Sequence, residues 1–207
     1  MKSNPAKDIR RPKLEKKIPK YLTEEACGRI LYWARHYPYY YKFEQPRNAA
    51  IISTFLATGI RRSELLNLKL EDVDLIRKEL YVRHGKGAKD RLIPFRHSLA
   101  CVLSEYLESR TKQGKECRYF FTSLRRDTKM GDKVIPRIVD ILKKKTGIHF
   151  YPHLLRHTYA TRMLEGGLHI GEVSKLLGHA DIETTTIYLS VNDQRVKEQV
   201  LRYGFDV

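Results

Sequence analysis

The sequence lacks long apolar runs and has few cysteines. No stretch approaches the roughly 20 apolar residues that a helix needs to cross a bilayer, so we expect no membrane-spanning segment. The charged N-terminus is not followed by an apolar stretch, which argues against a secretory signal peptide. Cys27, Cys101 and Cys117 are odd in number and far apart, which excludes a disulfide framework and suits a reducing cytoplasm. We interpret them as small buried residues.

Two further absences narrow the function. The glycines near Lys86 do not form the Walker pattern, which excludes a phosphate loop of that kind. His153 and His157 are four residues apart, as in some zinc sites, but no acidic residue or cysteine pair accompanies them. We therefore expect no metal and no cofactor, and we expect His157 to contact a neighbouring helix.

Basic residues are abundant. The chain has 40 Lys and Arg against 24 Asp and Glu, a formal net charge of +16 over 207 residues. A charge of one sign attracts and steers a partner of the opposite sign. Nucleic acid is the first candidate partner and an anionic membrane surface is the second.

Residues 1–20 stand apart from the rest of the chain. They hold three prolines and eight Lys or Arg, with few apolar residues. Such a segment cannot bury enough surface to fold alone. We interpret it as a basic arm or interdomain linker, and both phosphate contact and a plain disordered tail remain open.

From Thr23 onward the pattern is that of a mainly helical domain. Thr23 can cap a helix whose first turn holds Glu24. Gly59 is placed to end a second helix that begins near Pro46, and a third helix is expected from Arg62. Further helices are expected over 98–110, 133–145, 153–165, 170–177, 181–190 and 194–203.

Residues 79–83 and 91–95 predict two short strands, since both mix β-favouring residues. The turn-rich stretch 84–90 lies between them, which predicts a hairpin. The expected fold is therefore mainly α with a small antiparallel β-sheet.

Two motifs place positive charge where a phosphate could bind. His153 and Arg156 are three residues apart, so on a helix they share a face, and Pro152 suits the first position of that helix. A helix N-terminus favours anions. Arg61 follows a turn glycine, and Glu64 three residues on could orient it. Each motif alone is also typical of a solvated helix surface.

Two lysines, one histidine and one tyrosine complete the set of candidates. Lys86 and Lys89 lie in the expected hairpin loop, from which a lysine can reach DNA or protonate a leaving oxygen. His179 is followed nine residues later by Tyr188. The chain has 13 tyrosines, so Tyr188 gains meaning only from the residues around it.

Together these segments resemble the tyrosine recombinase and integrase family, which includes the phage integrases and the Xer-type chromosome resolvases. The resemblance covers residues 22–190, and the motifs occur in the family's order at its approximate spacings. The matching motifs are Ala57–Glu64, Gly85–Arg91, His153–Thr158, Leu177–His179 and Tyr188.

The resemblance implies a catalytic domain that cleaves and rejoins DNA at specific sites without metal or ATP. Tyr188 would be the nucleophile, forming a 3′-phosphotyrosyl link, while Lys86 would protonate the leaving 5′ oxygen and His153 would assist proton transfer. The implied catalytic residues are Arg61, Lys86, His153, Arg156, His179 and Tyr188, with Glu64 in support and Arg62, Lys89 and Arg91 contacting DNA.

The resemblance has one departure. Most members carry a separate N-terminal helical domain that clamps the DNA, whereas here only the arm 1–20 precedes a catalytic domain that we place at 21–190. An excised catalytic domain and a naturally short member, such as the fimbrial-switch recombinases, both remain open.

Residues 191–207 form a tail with an apolar stripe that includes Val200 and Tyr203. In the family such a tail often docks on a neighbouring protomer within a tetramer, and packing on its own domain is the alternative. The expected partners are therefore double-stranded DNA and further copies of this chain.

Two other functions were weighed. The presence of the whole set of key residues argues against a DNA-binding regulator without catalysis. A type IB topoisomerase uses similar tyrosine chemistry, but the hairpin and His-x-x-Arg motifs favour a recombinase.

Overall fold

The structure is a computed structural model that describes residues 21–83, 90–178 and 193–206. In these ranges the chain forms eight α-helices and a three-stranded antiparallel sheet, so the predicted fold class is confirmed. The helices are α1 (Glu24–His36), α2 (Glu44–Thr58), α3 (Arg62–Asn67), α4 (His97–Lys112), α5 (Val134–Thr146), α6 (Pro152–Glu165), α7 (Ile170–Leu177) and α8 (Asp193–Tyr203). The arm 1–20, the hairpin loop and the predicted helix 181–190 lie outside the described residues.

The sheet contains β1 (Val73–Asp74), β2 (Glu79–Val82) and β3 (Arg91–Pro94) in the order β1-β2-β3. β2 and β3 are the two predicted strands, with Val82 opposite Arg91. The sequence analysis missed β1, because a strand of two residues is too short to show alternation. In β3 the first and third residues are buried and Leu92 between them is exposed. This alternation places Arg91 on the inner face of the sheet, beside the core residue Ile93.

The ends of α1 and α2 follow the predicted local rules. The Thr23 hydroxyl accepts a hydrogen bond from the Ala26 N–H at 3.2 Å, which confirms the predicted cap. α2 ends at Gly59, which has a φ of 60°. It begins at Glu44, two residues earlier than predicted, so Pro46 lies in the first turn, where a missing N–H costs no helical bond.

α2 lies at the centre of the molecule and packs against α1, α4 and α6. Most of its side chains are buried, including Ile51, Ile52 and Phe55. The large core joins α1 to α5 and the sheet. A smaller second cluster joins α6, α7 and α8 around Tyr159 and Met163. The chain segment between α2 and α3 lies where these two cores meet, since Gly59 approaches Tyr159.

The tail packs on its own domain. Val200 of α8 is fully buried in the second cluster, and Tyr203 lies directly against Gly166. Lys197 pairs with Glu79 of β2 at 2.5 Å, and Arg96 donates to the Gly204 carbonyl at 3.0 Å. The two alternatives for the tail were docking on a neighbouring protomer and packing on its own domain. In the structure, the tail packs on its own domain.

One expectation about the cysteines was wrong. Cys27 is buried as predicted, but Cys101 is exposed and Cys117 only partly buried. Cys101 lies on the outward side of α4, between the inward-facing Ala100 and Val102. Within the described ranges, no helix is both long enough and apolar enough to cross a membrane.

Candidate active site

The structure brings four of the predicted residues together: Arg61, Glu64, Arg91 and Arg156 form one largely buried cluster, in which Arg61 is the most exposed side chain. We call this set the arginine cluster. His153 lies apart from the cluster's hydrogen bonds, exposed in the first turn of α6. Four predicted residues lie outside the described ranges: Lys86, Lys89, His179 and Tyr188.

Glu64 is the centre of the arginine cluster. It is the third residue of α3, and Arg61 is the residue just before that helix. The carboxylate accepts the Arg61 backbone N–H at 2.9 Å and the Arg61 Nη1 at 2.9 Å. One acidic side chain thus caps the helix and orients the arginine, as the sequence predicted for Glu64.

Arg91 reaches the same carboxylate from the sheet. Its Nη1 and Nη2 donate to the two oxygens of Glu64 at 3.0 and 2.7 Å, and its Nε donates to the Leu176 carbonyl at 2.8 Å. The side chain is 6% exposed. Three of its five N–H groups therefore donate inside the protein, which argues against the predicted contact of Arg91 with DNA.

Arg156 joins two helix ends. Its Nη1 donates to the carbonyl of Gly59, just past α2, at 2.8 Å, and its Nη2 donates to the Leu177 carbonyl of α7 at 2.6 Å. Sequence reasoning placed Arg156 at the N-terminus of α6. The structure shows that its guanidinium is directed at the C-termini of α2 and α7 instead.

The end of α7 collects three guanidinium groups. The carbonyls of three consecutive residues each accept from a different arginine: Leu176 from Arg91, Leu177 from Arg156, and Gly178 from Arg61 at 2.6 Å. A helix C-terminus carries partial negative charge and unpaired carbonyls, which suit cations. The next residue in the chain is His179, so the segment that leads to Tyr188 starts from this anchored end.

Positive charge exceeds negative charge in the arginine cluster, where three guanidinium groups lie around the one carboxylate of Glu64 among the described residues. Burial alone would raise the pKa of Glu64, but hydrogen bonds from Arg91 and Arg61 lower it to about 2. Burial and the neighbouring Arg61 and Arg91 lower the pKa of Arg156 to about 10. Glu64 and Arg156 are therefore both charged at neutral pH, and the surplus of guanidinium groups over carboxylates is suited to binding an anion.

The close approach of α2 to α6 and α7 requires glycine at position 59. Its positive φ disfavours other residues, and a Cβ there would lie 2.5 Å from Tyr159 Cδ1 and 2.9 Å from Leu177 Cδ2. Burial raises the pKa of Tyr159, whose hydroxyl has no hydrogen-bond partner in the described part of the chain. Sequence reasoning missed Tyr159, because a buried tyrosine on a helix has no distinguishing pattern.

His153 and His157 both face outward on α6. The expectation that His157 contacts a neighbouring helix was wrong, because successive turns of α6 turn Leu154, Leu155 and Thr158 inward and leave both histidines on the opposite side. Pro152 begins the helix as predicted.

Arg62 lies on the exposed side of α3 and lines a groove of about 580 Å³ that runs along α5. The groove also contains Lys133, Arg137 and Lys144, together with Asp132 and Asp140. Arg62 thus adjoins Arg61 in sequence but points to a different, solvent-facing surface.

The sequence contains a signal for the role of Arg91. In β3, alternation puts Arg91 on the same face as Ile93, which a half-buried strand directs toward the core. A buried arginine needs an acidic partner, so the question of its partner could have been raised from the sequence. The identity of that partner, 27 residues away in α3, could not.

The pattern of the phage integrase family matches residues 20–195 of this chain. Tyrosine recombinase XerA of Pyrococcus furiosus is 39% identical over 199 residues, which is 95% of this chain and 66% of the relative. Tyrosine recombinase XerC of Corynebacterium glutamicum is 35% identical over 96% of this chain and 63% of the relative. The chain therefore spans just under two thirds of the length of these relatives.

Solved structures agree with the fold. The crystal structure of XerA recombinase is similar with a TM-score of 0.70 at 37% identity, covering 88% of this chain and 64% of that chain. XerH recombinase in a pre-cleavage complex with its difH substrate has a TM-score of 0.67 at 23% identity, covering 86% of this chain and 52% of that chain. At that identity the second likeness supports the fold alone.

Proposed function

The chain belongs to the phage integrase family, and on that premise we propose that it catalyses site-specific DNA recombination by cleaving and rejoining strands through a 3′-phosphotyrosyl intermediate on Tyr188. The observation that carries the proposal is the arginine cluster, with its surplus of positive charge at the end of α7. A phosphodiester under attack is the anion that such fixed donors would stabilise.

The proposed reaction exchanges one phosphate ester for another. The Tyr188 oxygen attacks phosphorus, the bond from phosphorus to the 5′ oxygen breaks, and the ester to the 3′ oxygen is kept. The phenol proton passes to His153 and the 5′ oxygen receives a proton from Lys86. Since an ester bond is retained, a 5′-hydroxyl can later reverse the step on another strand without an external energy source.

Arg61 and Arg156 would bind the two non-bridging oxygens, and His179 would add a hydrogen bond. The Arg61 side chain is 20% exposed, whereas that of Arg91 is 6% exposed, so Arg61 offers the more accessible donors. The ionised Glu64 would keep Arg61 in place without neutralising the whole cluster.

We also propose double-stranded DNA as the partner. The net charge of +16 favours a polyanion. The groove lined by Arg62, Lys133, Arg137 and Lys144 offers cations near the cluster-bearing helix α3, and Lys89 and the arm 1–20 are further candidates for phosphate contact.

A tetramer on DNA, joined through the tail, belongs to the same proposal. Val200 and Tyr203 already show what the tail buries when it docks on a catalytic domain. The identical surface exists on every protomer, so a second copy could receive the same helix.

The test is a covalent trapping experiment. The chain is incubated with a library of nicked suicide duplexes whose central segment is randomised, and protein–DNA adducts are separated on a denaturing gel. We expect an adduct with wild type and none with Tyr188→Phe, while Tyr188→Phe retains DNA binding in a mobility-shift assay, because binding rests on phosphate contacts made elsewhere.

Mass spectrometry of the digested adduct should find the nucleotide on the peptide that contains Tyr188. DNA binding without any adduct from wild type would contradict the proposed activity of this chain. Relaxation of a supercoiled plasmid without recombination of two sites would instead assign it topoisomerase chemistry.

A further inference from the structure

Arg91 connects three parts of the active site that are distant in sequence. It lies at the first position of β3, it binds both oxygens of Glu64 in α3, and it binds the Leu176 carbonyl at the end of α7. The sequence separations are 27 residues to Glu64 and 85 residues to Leu176. Arg61 likewise binds both Glu64 of α3 and the Gly178 carbonyl at the end of α7.

The bonds of Arg91 run parallel to those of Arg61. Both arginines donate to Oε1 of Glu64, and their carbonyl acceptors, Leu176 and Gly178, are two residues apart. Arg91 differs from Arg61 in being almost fully buried, and it uses three of its five N–H groups on Glu64 and the Leu176 carbonyl. It braces the groups that Arg61 depends on, from the side facing away from solvent.

We propose that Arg91 is a positioning residue of the active site, which acts through Glu64 and the Leu176 carbonyl to hold Arg61 and the end of α7 in register. The proposal rests on the proposed recombinase function. It assigns Arg91 no contact with DNA and no proton transfer.

The geometry depends on a guanidinium. A planar fork can donate two parallel bonds to Glu64 while its Nε–H points to a third acceptor, whereas an ammonium is a point charge at the end of a flexible chain. Lysine at position 91 would keep the charge beside Glu64 but could not reproduce all three bonds. Methionine would fill much of the volume and remove every bond.

The first measurement is the single-turnover cleavage rate on the trapped duplex, with DNA binding measured separately. For Arg91→Met we expect a loss on the order of 100-fold in cleavage, comparable to losing a transition-state donor, with DNA affinity nearly unchanged. For Arg91→Lys we expect a smaller but clear loss. Wild-type cleavage by Arg91→Lys would overturn the requirement for the fork.

The matched control is Arg47→Met. Arg47 is also a buried arginine paired with a glutamate, Glu44, but it lies in the first turns of α2 and makes no bond to the arginine cluster. It should lose stability while the folded fraction cleaves at the wild-type rate. An equal loss of cleavage in Arg47→Met would show that any damaged buried arginine slows the reaction, which overturns the proposal.

A double-mutant cycle tests the route through Glu64. If Arg91 acts through that carboxylate, then Arg91→Met should cost far less in a Glu64→Gln background than in wild type, because groups that act as one unit are not additive. Additive losses would mean that Arg91 acts by another route and would overturn the proposal.

A modified substrate tests the remaining route, through the hairpin loop that holds Lys86. A duplex with sulfur in place of the bridging 5′ oxygen has a leaving group that needs no protonation. It should rescue Lys86→Ala but not Arg91→Met. Full rescue of Arg91→Met would assign its defect to the lysine and overturn the proposal.

Failure of this inference is distinguishable from failure of the proposed function. If wild type forms no adduct, the recombinase function fails. If wild type forms the adduct and both Arg91 variants cleave normally, only the role of Arg91 fails. Should Arg91→Met not fold, Arg91→Lys carries the same cycle with Glu64→Gln.

Discussion

Two buried arginine sites in this molecule differ in how their charge is balanced. In α2, Arg47 is 2% exposed and faces Glu44 at 3.7 Å, one cation against one carboxylate. In the arginine cluster, Arg61 and Arg91 bind the single carboxylate of Glu64, Arg156 lies close to them, and all three donate to backbone carbonyls at helix ends.

The difference in charge balance supports the proposal that the arginine cluster, and not the α2 pair, binds an anionic ligand. The α2 pair is neutral overall, and the Arg47 Nη1 has no partner within the described ranges, as expected of a charge retained by packing. The arginine cluster keeps its positive surplus by placing it on helix C-termini, whose partial charge is too small to cancel it. A polyanionic substrate can supply the missing negative charge.

The largest expected effect separates the two sites by activity. Arg61→Ala should lower the cleavage rate by on the order of 100- to 1,000-fold, because in the proposed reaction it removes a donor to the phosphate. Folding should be largely kept, since Glu64 retains its two bonds from Arg91. Single-turnover cleavage and thermal unfolding are the two measurements.

The control for that prediction is Arg77→Ala, which alters a side chain that is 76% exposed and paired with nearby Asp74. It should cleave like wild type. Wild-type cleavage by Arg61→Ala would contradict the role of the arginine cluster in phosphate binding.

The second prediction separates the two sites by stability. Arg47→Met should lower the free energy of unfolding by about 3–5 kcal/mol, because it leaves the buried Glu44 without its partner. Adding Glu44→Leu should recover much of this loss, since a well-packed apolar pair can replace a buried ion pair. Urea denaturation of the two variants measures both effects. If the double variant is less stable than Arg47→Met, the interpretation of Arg47 and Glu44 as a balanced ion pair is contradicted.

The third prediction concerns acid stability. Burial raises the pKa of Glu64, but the hydrogen bonds and charges of Arg91 and Arg61 outweigh burial and lower this pKa from 4.5 to about 2. A lowered carboxylate pKa stabilises the fold above the unfolded pKa, and this contribution is lost as pH falls from about 4.5 toward about 2. It amounts to roughly 3 kcal/mol.

Urea denaturation between about pH 5 and about pH 3 should therefore show a shallower loss of stability for Glu64→Gln than for wild type. The comparison uses the slope, because the variant starts from a lower stability once two arginines lose their acidic partner. Equal slopes would mean that Glu64 does not carry this acid sensitivity.

Local chemistry predicted much of the fold and the site. Thr23 caps α1 and Gly59 ends α2, and both were predictable because a helix cap depends only on the residues of the adjoining turn. The pairing of Arg61 with Glu64 was predictable, since the two residues are three apart on a helix start. The family motifs also named Arg156 as a site residue, and the structure places it in the same cluster.

The sequence by itself determined the mainly helical class, the hairpin of β2 and β3, the family, and most of the residues that meet around Glu64. Tertiary structure decided what those residues bind. Arg61, Arg91 and Arg156 reach carbonyls that are 117, 85 and 97 residues away in the chain. Every residue carries the same backbone carbonyl, whatever its side chain. No sequence pattern therefore marks the carbonyls that accept these bonds. Only the packing of α2, β3 and α7 brings these carbonyls to the arginines. The same packing fixes the end of α7, after which the segment leading to Tyr188 begins.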